Sequence, residues 1–377
     1  MKLYFVAGER SGDLHGGNLI RALRQARPSI ICRGFGGEAM QQAGMEVVVH
    51  YRHLAFMGFA EVLRHLGRIC AHLKHCQADL LAFKPHAVVL IDFAGFNLRI
   101  ARFAKQQGIK VVWYIAPKVW AWNSRRALKL KALVDCMLVI LPFEPPFFKR
   151  FGWQVHYVGN PVLEAVQGFT AHETFLEQHN LPAGRLVALL PGSRRQELKH
   201  MAPVLARVAR RFPDLVFAVP AVDNLRHEDY YRLRREPNIR VLQVPAYPLL
   251  AFARAAVVTS GTATLETALF NVPQVVVYRT SWFSYLLGRA LIRVPFISLV
   301  NLIAGRRVVP ELIQGQARAA RIAAELQRLL HDPACRSQVQ AGYAQVREQL
   351  GPAVASQRAA AVMLNFLENS ARPEGEG

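Results

Sequence analysis

The chain has 377 residues, of which 52% are hydrophobic, and a formal net charge of +21. That length exceeds one ordinary core and that apolar content excludes wholesale disorder, so two folded domains are expected. The charge favours anionic partners (nucleic acid, a membrane surface or phosphorylated substrates) without choosing among them. The five cysteines are scattered with no Cys-x-x-Cys pair, as in a reducing compartment.

In chain order, short apolar runs fall at 2–7, 86–92, 109–115, 136–141 and 155–158. A second set falls at 186–190, 215–219, 239–244, 255–259 and 274–278. Helical stretches such as GGNLIRALRQA and PVLARVARRF separate most of them. Alternation of this kind predicts parallel sheets covered by helices, and two sets predict two doubly wound α/β domains. The expected division is 1–172, 173–345 and a C-terminal helix and tail over 346–377, with the boundary in the polar stretch 172–185. No uninterrupted apolar run reaches the ~20 residues of a spanning helix. MKLYFVAGERSGD turns polar too early for a signal peptide, so a cytoplasmic location is expected.

Ligands of such sheets bind beyond the carboxyl ends of the strands. The first strand runs into VAGERSGDLHGG, a glycine turn whose spacing is wrong for a dinucleotide and whose side chains are unusually charged. GFGGEAMQQAG, at 34–44, lacks the third glycine of that fingerprint and an acid about 20 residues on. Asp92 ends the strand 86–92. A carboxylate there is a candidate general base, or equally a loop cap.

In the second half, LLPGSRRQE is strand, glycine turn, cation and helix. The amides near Gly192 and Ser193 suit phosphate oxygens, with Arg194 forking onto them; alternatively Ser193 and Gln196 form an ordinary capping box. TSGTATLE repeats the theme: Ser260, Gly261 and Thr262 open a helix, and Glu266 lies one turn in, placed either for sugar hydroxyls or as a favourable first-turn acid. Two anion-suited helix starts in one half-chain point to a nucleoside diphosphate. Neither is a P-loop, because no Gly-Lys-Ser/Thr follows.

Residues 59–83 include an amphipathic helix, with Val62, Leu63, Leu66, Ile69, Cys70 and Leu73 recurring at helical spacing beside arginines and histidines. The stripe suits either an anionic bilayer or the protein's own sheet. CAHLKHC within it is a poor metal site. Cys70 and His72 point roughly 200° apart, and His72, His75 and Cys76 lack a fourth ligand. The apolar and basic stretch 282–307 is interrupted by Arg289, Arg293 and Pro295; it reads as a second membrane-facing element, an acyl groove wall or a packed connector.

AGERSGD, GFGGEAM, IDFAGFN, APKVWAW, LPFEPPF, YVGNP, LLPGSRRQE, SGTATLE and NLIAGRRVVPELIQ occur in this order over nearly the whole chain. Each is weak alone; together they resemble the lipid-A-disaccharide synthases. The resemblance implies a GT-B fold, two Rossmann-like domains facing a cleft. It implies an inverting transfer from UDP-2,3-diacylglucosamine to 2,3-diacylglucosamine 1-phosphate, giving a β-1,6 disaccharide and UDP. No cofactor or metal is implied, nor any nucleic acid, and the place of work is the cytoplasmic face of the inner membrane, with Val62, Leu63, Leu66 and Ile69 facing it. A homodimer through 340–367, or a C-terminal helix crossing back to its own first domain, is also implied.

By the same resemblance Asp92 is the base, Arg194 steadies the departing diphosphate and Glu266 takes the ribose. Val244, in VPAYP, lies where uracil is read through backbone groups, and Asn301 matches another polar position of the site. Ser11, Gly12 and Asp13 would then line the acceptor side. The sequence departs from the usual Ile-Asp-x-Pro-Asp-Phe-Asn of the family, with Ala94 for the proline and Gly95 for the second acid. The rival readings are a UDP-N-acetylglucosamine 2-epimerase on the same fold and a non-enzymatic basic protein.

Overall fold

The computed structural model describes residues 1–54, 66–222, 225–292 and 294–370. Contacts divide the chain into two compact units, Met1–Pro161 with the segment from Pro352 onward, and Val162–Gly351.

The first unit holds a seven-stranded parallel sheet in the order β3-β2-β1-β4-β5-β6-β7. Its strands are β1 (Lys2–Ala7), β2 (Ile31–Gly36), β3 (Met45–His50), β4 (Ala87–Ile91), β5 (Lys110–Tyr114), β6 (Cys136–Val139) and β7 (His156–Tyr157). The pleat sends alternate residues to opposite faces. Tyr4, Val6, Val88 and Leu90 enter one apolar cluster with Trp113, Phe96 and Ile100. Leu3, Phe5, Ala7, Val89 and Ile91 enter another. Strands covered on both faces therefore read as continuous apolar runs.

The second cluster is completed from far along the chain. The helix Ala355–Asn369 lays Ala359, Met363 and Leu367 beside Leu19 and Leu23 of the helix Arg10–Ala26. An ion pair between Arg27 and Glu368 ties the ends of the two helices. Full burial of Met363 and Leu367 stabilises this docking by roughly 1.5–3 kcal/mol each.

The second unit holds a six-stranded parallel sheet in the order β10-β9-β8-β11-β12-β13. Its strands are β8 (Leu186–Leu190), β9 (Val216–Pro220), β10 (Ile239–Leu242), β11 (Ala255–Thr259), β12 (Gln274–Tyr278) and β13 (Glu311–Ile313). In both sheets the chain winds outward from the middle in two directions. The order reverses between β1 and β4 in one and between β8 and β11 in the other. Strands β2, β3 and β13 are absent from the sequence expectation. In ICRGFG two glycines and Arg33 break the apolar run, and Arg33 is held by ion pairs to Asp79 and Glu46.

Candidate active site

The reversal between β1 and β4 brings two of the motifs together. Ala7 is in register with Ile91, so Gly8 and Asp92 leave neighbouring strand ends. The backbone at Asp92 and Phe93 is left-handed, with φ 45° at both, and Ile115 at the end of β5 has φ 68°. Non-glycine residues hold such angles only where their surroundings fix them.

Three contacts do so here. The Asp92 amide donates to the Tyr114 carbonyl at 3.2 Å. The Phe93 ring stacks on Phe96 and fills the space over Gly8, where a Cβ would come within 2.3 Å of it. Asn97 is fully buried, and its side-chain amide donates toward the carbonyls of Asp92 at 2.9 Å, Ile91 at 3.2 Å and Val6 at 3.4 Å. One side chain thus ties the end of β1 to the end of β4.

Burial raises the Asp92 carboxyl above the usual carboxylate range, and nearby Glu9 raises it further; Lys118 and the Phe93 amide oppose them. Lys118 stands in the turn after β5. Glu144, in the turn after β6, is buried and accepts from the amides of Ile140 at 3.1 Å and Leu141 at 2.8 Å and from Trp120 Nε1 at 3.2 Å. Burial pushes its carboxyl up to about 7. Glu144 so fixes the loop that carries Lys118 and Trp120.

The helix Arg10–Ala26 opens beside this junction with Ser11 exposed and Gly12 buried. Asp13 does not face a sugar. It is 3% exposed and accepts from the amides of Gly37 at 2.7 Å, Ala39 at 3.0 Å and Met40 at 3.1 Å, capping the helix Glu38–Gln42. GFGGEAM is the other half of that cap, not a ligand loop. Gly95 lies exposed in the first turn of the helix Ala94–Gln106, and a Cβ there would meet nothing within 4 Å.

The reversal between β8 and β11 brings together the other pair. Leu190 is in register with Val258. Past β8, Gly192 takes φ 103°, and Arg194 is exposed at the cap of the helix Arg195–Ala209. The expected Ser193–Gln196 capping box is replaced. Glu197 Oε2 accepts from the amides of Ser193 at 3.1 Å and Arg194 at 3.3 Å, and a Cβ on Gly192 would strike that carboxylate at 2.3 Å. These amides hold an internal anion at the place where a phosphate was expected.

Past β11, the Ser260 hydroxyl donates to the Ile297 carbonyl at 2.6 Å, and Gly261 and the exposed Thr262 open the helix Thr262–Leu269. Half-buried Glu266 accepts from the Tyr247 hydroxyl at 3.2 Å. Burial raises the Glu266 carboxyl, and this hydrogen bond partly offsets it. Tyr247 sits in the helix Ala246–Phe252, three residues past half-buried Val244, so it ties the VPAYP loop to the Glu266 helix. Tyr247 went unnoticed in the sequence because nothing in VPAYP marks the tyrosine as a partner for an acid 19 residues away.

Two further expectations change. Asn301 is fully buried. Its amide donates to Val309 O at 3.0 Å and Glu311 Oε1 at 2.9 Å, and its oxygen accepts from the amides of Val308 at 2.8 Å and Val309 at 3.0 Å. It braces the start of β13. Half-buried Ile69 packs in part against the first unit's core. Val62, Leu63 and the side chain of Leu66 lie outside the described residues. Among the described residues, no three His, Cys, Asp or Glu side chains gather to hold a metal ion, and no helix is long and apolar enough to cross a membrane.

Two parallel α/β units, each with its ligand-suited turns at the strand-order reversal, define the GT-B class. Solved structures share it across the whole chain. A putative UDP-N-acetylglucosamine 2-epimerase from Listeria monocytogenes superposes with a TM-score of 0.71 at 14% identity, covering 100% of this chain and 99% of that one. The calicheamicin glycosyltransferase CalG4 superposes with a TM-score of 0.60 at 19% identity, covering 98% and 99%.

Sequence similarity separates these possibilities. The profile of the lipid-A-disaccharide synthetase family matches residues 3–365. The lipid-A-disaccharide synthase of Geobacter sulfurreducens is 40% identical over 373 residues, 97% of each chain, and that of Myxococcus xanthus is 39% identical with the same coverage. The chain belongs to the lipid-A-disaccharide synthase family, the glycosyltransferases of lipid A biosynthesis.

Proposed function

We propose that the enzyme transfers diacylglucosamine from its UDP derivative to the 6-hydroxyl of 2,3-diacylglucosamine 1-phosphate, with inversion and in one displacement. Asp92 takes the hydroxyl proton as the sugar carbon is attacked. A half-buried carboxylate whose pKa burial raises is a stronger base than an exposed one. The bond to the diphosphate breaks as the new one forms. Arg194 receives the negative charge that develops on UDP, joined by the amides of Ser193 and Arg194 when the diphosphate displaces Glu197 from them. Glu266 accepts from the ribose hydroxyls, Val244 offers its backbone to uracil, and Ser11 and Gly12 border the acceptor. Residues 1–172 and 173–345 serve acceptor and donor respectively, at a membrane surface on the cytoplasmic side.

The observation that carries this reading is the pairing of motifs: the acid pair at one reversal, the cation and amide pair at the other. The purified chain given both acylated sugars should release UDP in step with disaccharide. UDP release from the donor alone, or free N-acetylmannosamine from UDP-N-acetylglucosamine, would defeat the proposal.

A further inference from the structure

The exposed large apolar side chains of the described residues are mostly scattered singly, as Leu14, Leu81, Leu128 and Tyr231 are. Single residues of this kind need no explanation. One group is different. Trp282, Leu286, Leu291 and Ile292 are 68%, 59%, 45% and 47% exposed, all within the helix Trp282–Leu291 or directly after it. Of the side chains described on that helix, only that of Tyr285 is half-covered. At 100° per residue, Trp282, Leu286 and Arg289 fall within about 60° of one another, so a cation lies on the same face as the apolar pair.

Charge sharpens the picture. From 267 to 310 the sequence has no aspartate or glutamate, and it has five arginines: Arg279, Arg289, Arg293, Arg306 and Arg307. The first acid beyond, Glu311, is turned inward onto the amides of Ile297 and Ser298 and the side chain of Asn301. Nothing acidic in this stretch offsets its arginines. A tryptophan at the start of a short helix, aliphatic side chains beside it and arginine on the same face form the pattern of a helix lying in a bilayer interface. The ring sits at headgroup level and the guanidinium meets lipid phosphate.

We propose that the helix Trp282–Leu291 docks on an anionic lipid surface, seating the second unit on the membrane independently of the first. The proposal deepens the reading of acylated substrates and rests on it.

The test is sedimentation of the full chain with vesicles, without substrate. Two vesicle types serve: phosphatidylethanolamine mixed with phosphatidylglycerol, and phosphatidylcholine alone. Wild type should bind the anionic vesicles more tightly, and salt should weaken it. Trp282→Ser with Leu286→Ser should weaken binding about tenfold, and Arg289→Glu about fivefold on the anionic vesicles only. Transfer on detergent-dispersed substrates should be unchanged in each, which also reports folding; Arg289→Glu, at an exposed position, serves if the double variant fails to fold. Vesicle binding equal to wild type in Arg289→Glu and the double variant overturns the proposal. So does a shift in oligomeric state, or loss of an acidic protein partner, with vesicle binding retained. A wild type that binds as proposed yet transfers no sugar would count against the reaction alone.

Discussion

At the β1/β4 reversal the chain holds Asp92 on a left-handed, enclosed backbone, with Glu9 and Lys118 close by. At the β8/β11 reversal it exposes Arg194 and turns backbone amides toward an anion. The topology is the same and the chemistry is opposite. A strand end that buries a carboxylate raises its pKa and suits proton removal; one that opens a helix with glycine and a cation suits the charge released on a leaving group. The repeated fold supplies positions, and local side chains decide what each position does.

The largest expected effects separate the two junctions by kinetics. Asp92→Asn should lower kcat by about 10³-fold while leaving UDP affinity, measured by calorimetry, unchanged. Arg194→Ala should lower both transfer and UDP affinity by about 10²-fold. If both substitutions gave the same signature, the division of labour would be wrong. The raised pKa of Asp92 also predicts that wild-type kcat/KM falls on acidification above the ordinary carboxylate range, because the base is lost as it protonates.

Next comes the residue that joins β1 to β4. Asn97→Ala removes the donor shared by three carbonyls and should cost about 1–3 kcal/mol of stability by thermal or denaturant unfolding. With Asp92 no longer held in its left-handed turn, kcat should fall more than KM rises, and the acid limb should move toward the ordinary carboxylate value. A loss of stability with kcat and pH profile intact would reduce Asn97 to a purely structural role.

The smallest effect tests the internal anion. Glu197→Gln should weaken the helix start by about 1 kcal/mol and tighten UDP or inorganic phosphate severalfold, since the amides of Ser193 and Arg194 no longer face a competing carboxylate. Unchanged or weaker binding would mean that the diphosphate does not use those amides.

Much of this architecture was legible in the sequence, because buried parallel strands are apolar runs and the turns after them carry glycine and charge. The strands at 86–92, 186–190 and 255–259 correspond closely to β4, β8 and β11. What was hidden depends on partners distant in sequence. Asp13 reads as a site acid until the amides of Gly37 to Met40 close over it. Asn301 reads as a site amide until the start of β13 wraps it. Spacing locates a polar residue near a strand end; it does not say whether the side chain turns outward or into the protein. Glu197 was within reach of the sequence, as an acid three residues past the cap Arg194, had the cap been placed there rather than at Ser193.

The helix Ala355–Asn369 has a consequence for how the protein is made. It supplies part of the core that holds β1, so the unit whose first strand leaves the ribosome earliest lacks a wall until residues near 367 have emerged. Val162–Gly351, by contrast, is complete in itself 18 codons before that helix finishes at Asn369. Synthesis order and completion order are inverted: the later unit is ready to fold first, and the earlier one waits, with the Leu19 and Leu23 face of its first helix uncovered, for the chain to return.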